Sequence, residues 1–246
     1  MSNQIDYGSY LHLDALLQLQ EVQSSPEHPD ELLFIVVHQA SELWFKVLLH
    51  EMDQLLVSLG QFDTMRALLA VQRINVLTEI VAQQLTALDT LPPQRFAQFR
   101  GYLGSSSGSQ SAQFRAIEAT AGLRDEHFLA TIREHGEPPA VVARALERPT
   151  LQSLALAIIE HEGVSLESLY TGPGPTPMFL LVEGLLEFEQ RFARWRFLHV
   201  QLVERIIGPG TSGTGGTLGA KYLSRNVSNR FFPELWAVRS KFYGRA

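Results

Sequence analysis

An all-α fold is what this sequence predicts, on three observations. Apolar residues recur at steps of three and four along several stretches. No segment shows the strict alternation of a half-buried strand. The stretches are punctuated by Gly, Pro and Asp, which start and stop helices. The chain has 246 residues, 45% hydrophobic and 19% charged, enough material for a sizeable core. No internal repeat is evident and no linker is long enough to divide the chain, so the reading is a single helical domain over 1–246.

Taken in order, residues 30–59 read as a long helix opened by the acidic pair Asp30 and Glu31, with Gly60 as its stop. Residues 64–90 read as a second, with Leu77, Ile80, Val81, Leu85 and Leu88 at helical spacing. Pro92 and Pro93 end it, and a short helix runs to about residue 101. Residues 104–108 form a Gly/Ser loop, and 110–121, 125–135, 138–147 and 150–162 read as four short helices. Residues 170–177 read as a non-helical connector. The longest helix is predicted over 178–207, roughly 45 Å at 1.5 Å per residue. A glycine-rich stretch follows over 208–219, and a last helix over 233–242.

Composition removes several function classes. There is no cysteine, which excludes disulfides, thiolate metal sites, iron–sulfur clusters, thiol catalysis and covalent haem attachment through a C-x-x-C-H sequence. The net charge of −6, from 20 basic and 26 acidic residues, is scattered, with no basic stripe for nucleic acid and no polybasic run for a membrane surface. The polar, acidic start is not a signal peptide, and no apolar run approaches the roughly 20 residues of a bilayer span, so a cytoplasmic location is expected.

Two histidines lie on the two long apolar helices. Leu181, Leu185, Phe188, Phe192, Trp195, Leu202 and Ile206 form one stripe of the longest helix, and His199 sits in its register. An imidazole there is desolvated and neutral, the state a metal ligand requires. A core histidine bonded to a backbone carbonyl would satisfy the same pattern, and on these residues alone is the commoner case. On the first long helix Phe34, His38 and Glu42 are each one turn apart, so an aromatic ring and an imidazole stand side by side. This pair too is compatible with a plain helix contact. There is no H-E-x-x-H and no Glu three residues before a histidine, which argues against zinc peptidases and di-iron bundles. His127, His135 and His161 read as solvent-facing, and His50, after Leu48 and Leu49, as a core candidate.

Two loops carry ligand-binding potential. Arg100 precedes the Gly/Ser turn, and a guanidinium is the natural fork for a carboxylate, although a surface arginine on a flexible loop reads the same way. The stretch 208–219 lacks the Gly-Lys-Ser/Thr of a P-loop and follows no strand, so it is no nucleotide fingerprint. Its density of Gly and Thr suits either a closing lid or a plain connector.

The segments YGSYLHLDALLQLQ (7–20), DELLFIVVHQASELWFK (30–46), FR…SGSQSAQFR (99–115), WRFLHVQLVERIIG (195–208), GTGGTLGAKYL (213–223) and RFFPELWAVR (230–239) together resemble the tryptophan 2,3-dioxygenase family, in order and from both ends of the chain. The resemblance implies a helical homotetramer that binds haem b non-covalently and uses O2 to oxygenate an indole amino acid, by default L-tryptophan to N-formylkynurenine. It implies that His199 is the axial iron ligand and that His38 is the distal histidine meeting the indole N–H. By the same resemblance Phe34 packs beside the indole, Arg100 clamps the carboxylate, and Thr214 meets the amino-acid end. Leu103, Ser107 and Ser109 fall on pocket-lining positions, and Tyr7, Tyr10 and Leu11 on positions that complete a neighbouring subunit's pocket.

Three departures stand out. Where the family usually has a phenylalanine this chain has Ser109, where it usually has an arginine before the histidine that the resemblance makes the iron ligand this chain has Leu198, and the region between Arg115 and Phe179 is shorter than in typical members. They admit an alternative within the class, a diverged monooxygenase acting on a substituted tryptophan such as β-methyltryptophan to give an oxindole. Outside it stand a haem-carrying bundle without substrate, against which Arg100 and the GTGG stretch argue, and a cofactor-free helical protein.

Overall fold

The computed structural model describes residues 5–133, 136–211, 213 and 219–243. Thirteen α-helices run through them: α1 (Tyr7–Leu11), α2 (Leu13–Leu16), α3 (Glu31–Gly60), α4 (Thr64–Gln84), α5 (Pro93–Phe99), α6 (Ala112–Ala121), α7 (Glu126–Arg133), α8 (Ala140–Glu147), α9 (Leu151–His161), α10 (Leu166–Thr171), α11 (Pro177–Ile207), α12 (Ala220–Arg225) and α13 (Pro233–Tyr243). Short 3₁₀ turns cover Leu85–Thr90, Arg100–Leu103 and Gly108–Gln110, and no strand occurs among the described residues. The all-α reading holds, with four short helices unforeseen, α1, α2, α10 and α12. α10 lies just before the expected connector at 170–177 and takes in its first two residues, with Ser165 accepting from the Ser168 N–H, and α12 follows the glycine-rich stretch. The predicted second helix tightens to 3₁₀ at Leu85 instead of running to residue 90.

The bundle is organised on α4, which lies between α3 and α11. The cross-links give the register. Arg73 reaches Glu51 at 3.0 Å and Gln84 reaches the Ser41 hydroxyl at 2.7 Å, so α3 and α4 are antiparallel. Asn75 donates to the Gly184 carbonyl at 3.0 Å and Arg191 to Glu79 at 3.0 Å, so α4 and α11 run parallel. Their approach is close: a Cβ on Gly184 would stand 2.8 Å from Val71 Cγ1, a methyl on a stiff β-branched side chain. Following the register upward, Ser41 is level with Gln84, and Ala82 and Thr86 border Leu198. The topology therefore carries His38 and His199 to the same end of the bundle.

Buried carboxylates tie the outer elements to this core. Glu189, fully buried, accepts from the backbone N–H of Phe231 at 2.6 Å and of Phe232 at 2.8 Å, from Arg230 at 2.9 Å and from Trp236 Nε1 at 2.6 Å. That set holds the segment before α13 and its first turn against α11. Glu118 on α6 accepts from Arg196 on α11 at 2.7 Å and from Arg115 at 2.9 Å, with Arg196 sandwiched between the Phe192 and Phe231 rings at 4.9 Å from each. Arg124 caps two helix ends at once, donating to the carbonyls of Ala119, Leu146, Ala145 and Arg148.

Two expectations are corrected. His50 is exposed, because Leu48 and Leu49 take the inward face and the next residue turns out of it. α3 is also long and apolar enough, by composition, to cross a membrane. Its inner face is the bundle's core, and its outer face carries exposed Leu32, Val36, Leu43 and Val47 at helical spacing.

Candidate functional site

His38, on the N-terminal half of α3, and His199, on the C-terminal half of α11, lie close enough for the charge of one to act on the other. His38 is exposed and His199 partly exposed, so the hollow between them is open to solvent. Burial pushes the His199 imidazole down to about 4, with repulsion from a charged His38 adding to it. His38 is also lowered, by burial first; its hydrogen bond to Phe34 and the charge of Glu42 oppose the shift. Both rings are therefore neutral near pH 7.

The two rings differ in what they have free. His38 Nδ1 lies 2.7 Å from the Phe34 carbonyl oxygen. A carbonyl only accepts, so Nδ1 carries the proton and Nε2 keeps a lone pair. Glu42, one turn on, is held by Gln113 Nε2, which donates to its carboxylate and its carbonyl at 2.8 Å each. His199 has no hydrogen-bond partner on either nitrogen among the described residues. Its ring stacks instead on Trp195, centroids 5.3 Å apart and planes 19° apart.

The apolar side of the hollow is a second small core. Leu91, Phe96 and Phe99 are buried, with Phe34, Leu103, Ile206 and Ile207 packed against them. Phe34 lies 4.2 Å from the His38 ring, 5.5 Å from Phe96 and 5.8 Å from Phe99. Arg100 follows Phe99 directly and is half-buried; with Ala97, Gly101, Gly104 and Gly213 it lines an open depression. The arginine loop and the glycine-rich stretch, 113 residues apart in Arg100 and Gly213, therefore meet.

The tertiary structure thus brings Phe34, His38 and Leu103 together, with His199 near His38 and Arg100 at the separate depression that Gly213 also lines. Ser107 and Ser109 are engaged with each other, hydroxyl to hydroxyl at 2.9 Å, in a capping arrangement that Gln110 closes by accepting from the Ser107 N–H at 3.1 Å. The Ser109 hydroxyl is satisfied within its own loop. Tyr7, Tyr10 and Leu11 are 76%, 72% and 38% exposed, and α1 and α2 bury no residue. They do not reach this chain's own hollow. Thr214 and His135 lie outside the described residues. His127 and His161 are exposed as expected, His161 stacked on Phe62. In the sequence Trp195 stands out only as part of a stripe, one turn before His199, and nothing marks Gln113.

The donor set fits a macrocyclic metal cofactor. No group of three or more His, Cys, Asp or Glu side chains that could hold a bare ion occurs among the described residues. A single neutral imidazole with uncommitted nitrogens, facing a partly apolar hollow, suits a metal whose other ligands come from a porphyrin. The buried Trp195 Nε1, which has no acceptor among the described residues, points the same way. Fold and site together define an all-helical bundle whose two longest helices each carry a histidine, a donor set that fits a flat metal cofactor.

Comparison with known proteins narrows this class. The sequence model of the tryptophan 2,3-dioxygenase family matches residues 1–169 and 161–242. A tryptophan 2,3-dioxygenase of Kineococcus radiotolerans is 37% identical, across 98% of this chain and 92% of its own length. One from a Nocardioides species is 39% identical, across 97% and 95%, and one from Bacillus anthracis 36%, across 96% and 92%. The chain belongs to the tryptophan 2,3-dioxygenase family.

Proposed function

We propose that this chain is a haem-dependent oxidoreductase of the cytoplasm that adds O2 across the C2–C3 bond of an indole amino acid, L-tryptophan by default, giving N-formylkynurenine. The observation that carries the reading is the asymmetry of the facing imidazoles. His199 has both nitrogens uncommitted among the described residues, and His38 has Nδ1 tied to Phe34 with Nε2 left as an acceptor. His199 would hold the iron of haem b, which when bound supplies the oxygen-activating chemistry.

The chain's own residues do the rest. His38 Nε2 accepts a hydrogen bond from the indole N–H, the one polar group of the ring system. The Phe34 ring, wedged against Phe96 and Phe99, gives the indole an apolar wall. Arg100 takes the substrate carboxylate, and Thr214 meets the amino-acid end. Leu103 adds apolar lining, and Ser107 and Ser109 shape the loop between Arg100 and α6. Fixing the two ends of the substrate sets the ring plane, so orientation is settled before reaction. The relatives' names carry the two-atom activity. No contact of Ser109 or Leu198 favours insertion of a single atom.

A homotetramer is part of this reading. Its support is the apolar surface that one copy leaves uncovered: Tyr7 and Tyr10 on the N-terminal segment, and the outer face of α3. Tyr7, Tyr10 and Leu11 would then close a neighbour's hollow. Light scattering on the haem-loaded protein, with and without residues 1–17, tests this; a fully active monomer refutes it.

The central test is a visible spectrum followed by incubation with L-tryptophan under labelled O2. A Soret band and a product carrying two labelled oxygen atoms are expected. A protein that takes up no haem, or releases a product with one labelled atom, overturns the assignment.

A further inference from the structure

Trp195 is an unusual choice for the position it fills. It lies one turn before His199 on α11, is 9% exposed, and stacks on the imidazole. Its remaining ring neighbours are Phe45 at 5.9 Å, Phe114 at 5.2 Å and Phe192 at 5.9 Å, none of which accepts a conventional hydrogen bond. The indole N–H is buried and has no acceptor among the described residues. An unsatisfied buried donor destabilises the folded chain, and a phenylalanine would supply the same kind of stack without it. A tryptophan here therefore costs stability unless something outside the chain accepts its proton.

The surroundings hold that ring still. Phe114 belongs to α6, whose first turn Ser111 caps at the end of the Arg100 loop. The next residue on α11, Arg196, is bound to Glu118 on the same helix α6 and clasped between Phe192 and Phe231. The buried ion pair fixes the rotation of α11 about its axis, and with it the direction in which residues 195 and 199 project. His199 makes no hydrogen bond of its own among the described residues, so the Trp195 stack is what defines its ring plane.

We propose that Trp195 is a positioning residue of the cofactor site: its stack sets the plane of the His199 imidazole, and its N–H is a donor held for a carboxylate of the bound porphyrin. The inference rests on the haem reading above. In the cofactor-free protein the N–H is a burden; in the loaded protein it becomes a contact.

Three proteins test this: wild type, Trp195→Phe and Trp195→Leu. Trp195→Phe keeps a stacking ring and removes the N–H. Its cofactor-free form should melt no lower than wild type, while its haem affinity, read by Soret titration, should fall roughly tenfold. The electron paramagnetic resonance of its ferric cyanide adduct, which reads the orientation of the axial imidazole, should match wild type. Trp195→Leu should change that signal. Unchanged haem affinity in Trp195→Phe, a lowered melting temperature of its cofactor-free form, or an unchanged signal in Trp195→Leu each overturns the proposal. Failure of the wild type to take up haem would overturn the haem reading and this inference with it; normal wild-type loading with any of the other three results overturns this inference alone. Should Trp195→Leu not fold, the two Trp195→Phe measurements still decide.

Discussion

The Nδ1 of His38 donates to the carbonyl of Phe34 at 2.7 Å, and the two rings stand 4.2 Å apart. One turn of α3 thus builds both the apolar wall and the tautomer of its neighbour. The bond is local, so it depends on the helix alone and not on any other element. It leaves Nε2 as an acceptor whether or not ligand is present.

That relationship sets the first expectation. His38→Ala should weaken binding of tryptophan by about 0.5–1.5 kcal/mol, the usual net worth of one hydrogen bond. Binding of 1-methyltryptophan, which has no N–H, should change far less. Calorimetry or spectral titration of both ligands distinguishes the cases, and equal losses would mean that His38 acts by bulk and not as an acceptor.

Arg100 is tested by the other end of the substrate. Arg100→Ala should cost about 2–5 kcal/mol in tryptophan binding, since it leaves a buried carboxylate without its partner. Indole has no carboxylate and should bind nearly as before. A matching loss for indole would make Arg100 a support of its loop, where it already contributes to the wall shared with Gly213.

Glu189 gathers four donors outside the hollow, which makes it a test of stability. Glu189→Ala would strand the N–H groups of Phe231, Phe232 and Trp236 together. At about 1–3 kcal/mol for an unsatisfied buried donor, partly recovered by water, a loss of about 3–5 kcal/mol is expected. Urea unfolding measures it. A change under about 1 kcal/mol would show that the segment before α13 is held by its phenylalanines alone.

Glu31 gives a pH dependence. It accepts from the backbone N–H of Gln23 at 2.9 Å and of Ser24 at 3.0 Å, pinning the chain before α3 to that helix's first turn. Burial alone would raise its pKa. The hydrogen bonds from Ser24 and Gln23, with help from His28, outweigh burial and leave it below the ordinary 4.5. A depressed carboxylate stabilises the fold above its unfolded value, and that contribution is lost as pH falls through the lower folded value. Hydrogen exchange at the Gln23 and Ser24 amides should therefore lose protection as pH drops below 4.5, and Glu31→Gln should remove the dependence. Protection that is independent of pH in wild type would contradict this.

The long-helix pattern, the stripe from Leu181 to Ile206, and the pairing of Phe34 with His38 were all legible in the sequence, because each depends on spacing within one helix. The short helices α10 and α12 were not, since so few residues give little periodicity and their ends are set by Ser165 and by packing on α11. His50 failed for the opposite reason: two apolar neighbours predicted burial, and the helix turned it outward.

By itself, then, the sequence determined the helices, the neutral character of His199 and the chemistry available on each face. Only the tertiary structure decided that His38 and His199 stand level, that Arg100 meets Gly213, and that Trp195 is buried with an unsatisfied N–H. The physical reason is that periodicity specifies which face of a helix is apolar, but not how far one helix slides along another. Here that slide is set by contacts far apart in the chain: Gly184 against Val71, Gln84 on Ser41, and Glu118 on Arg196.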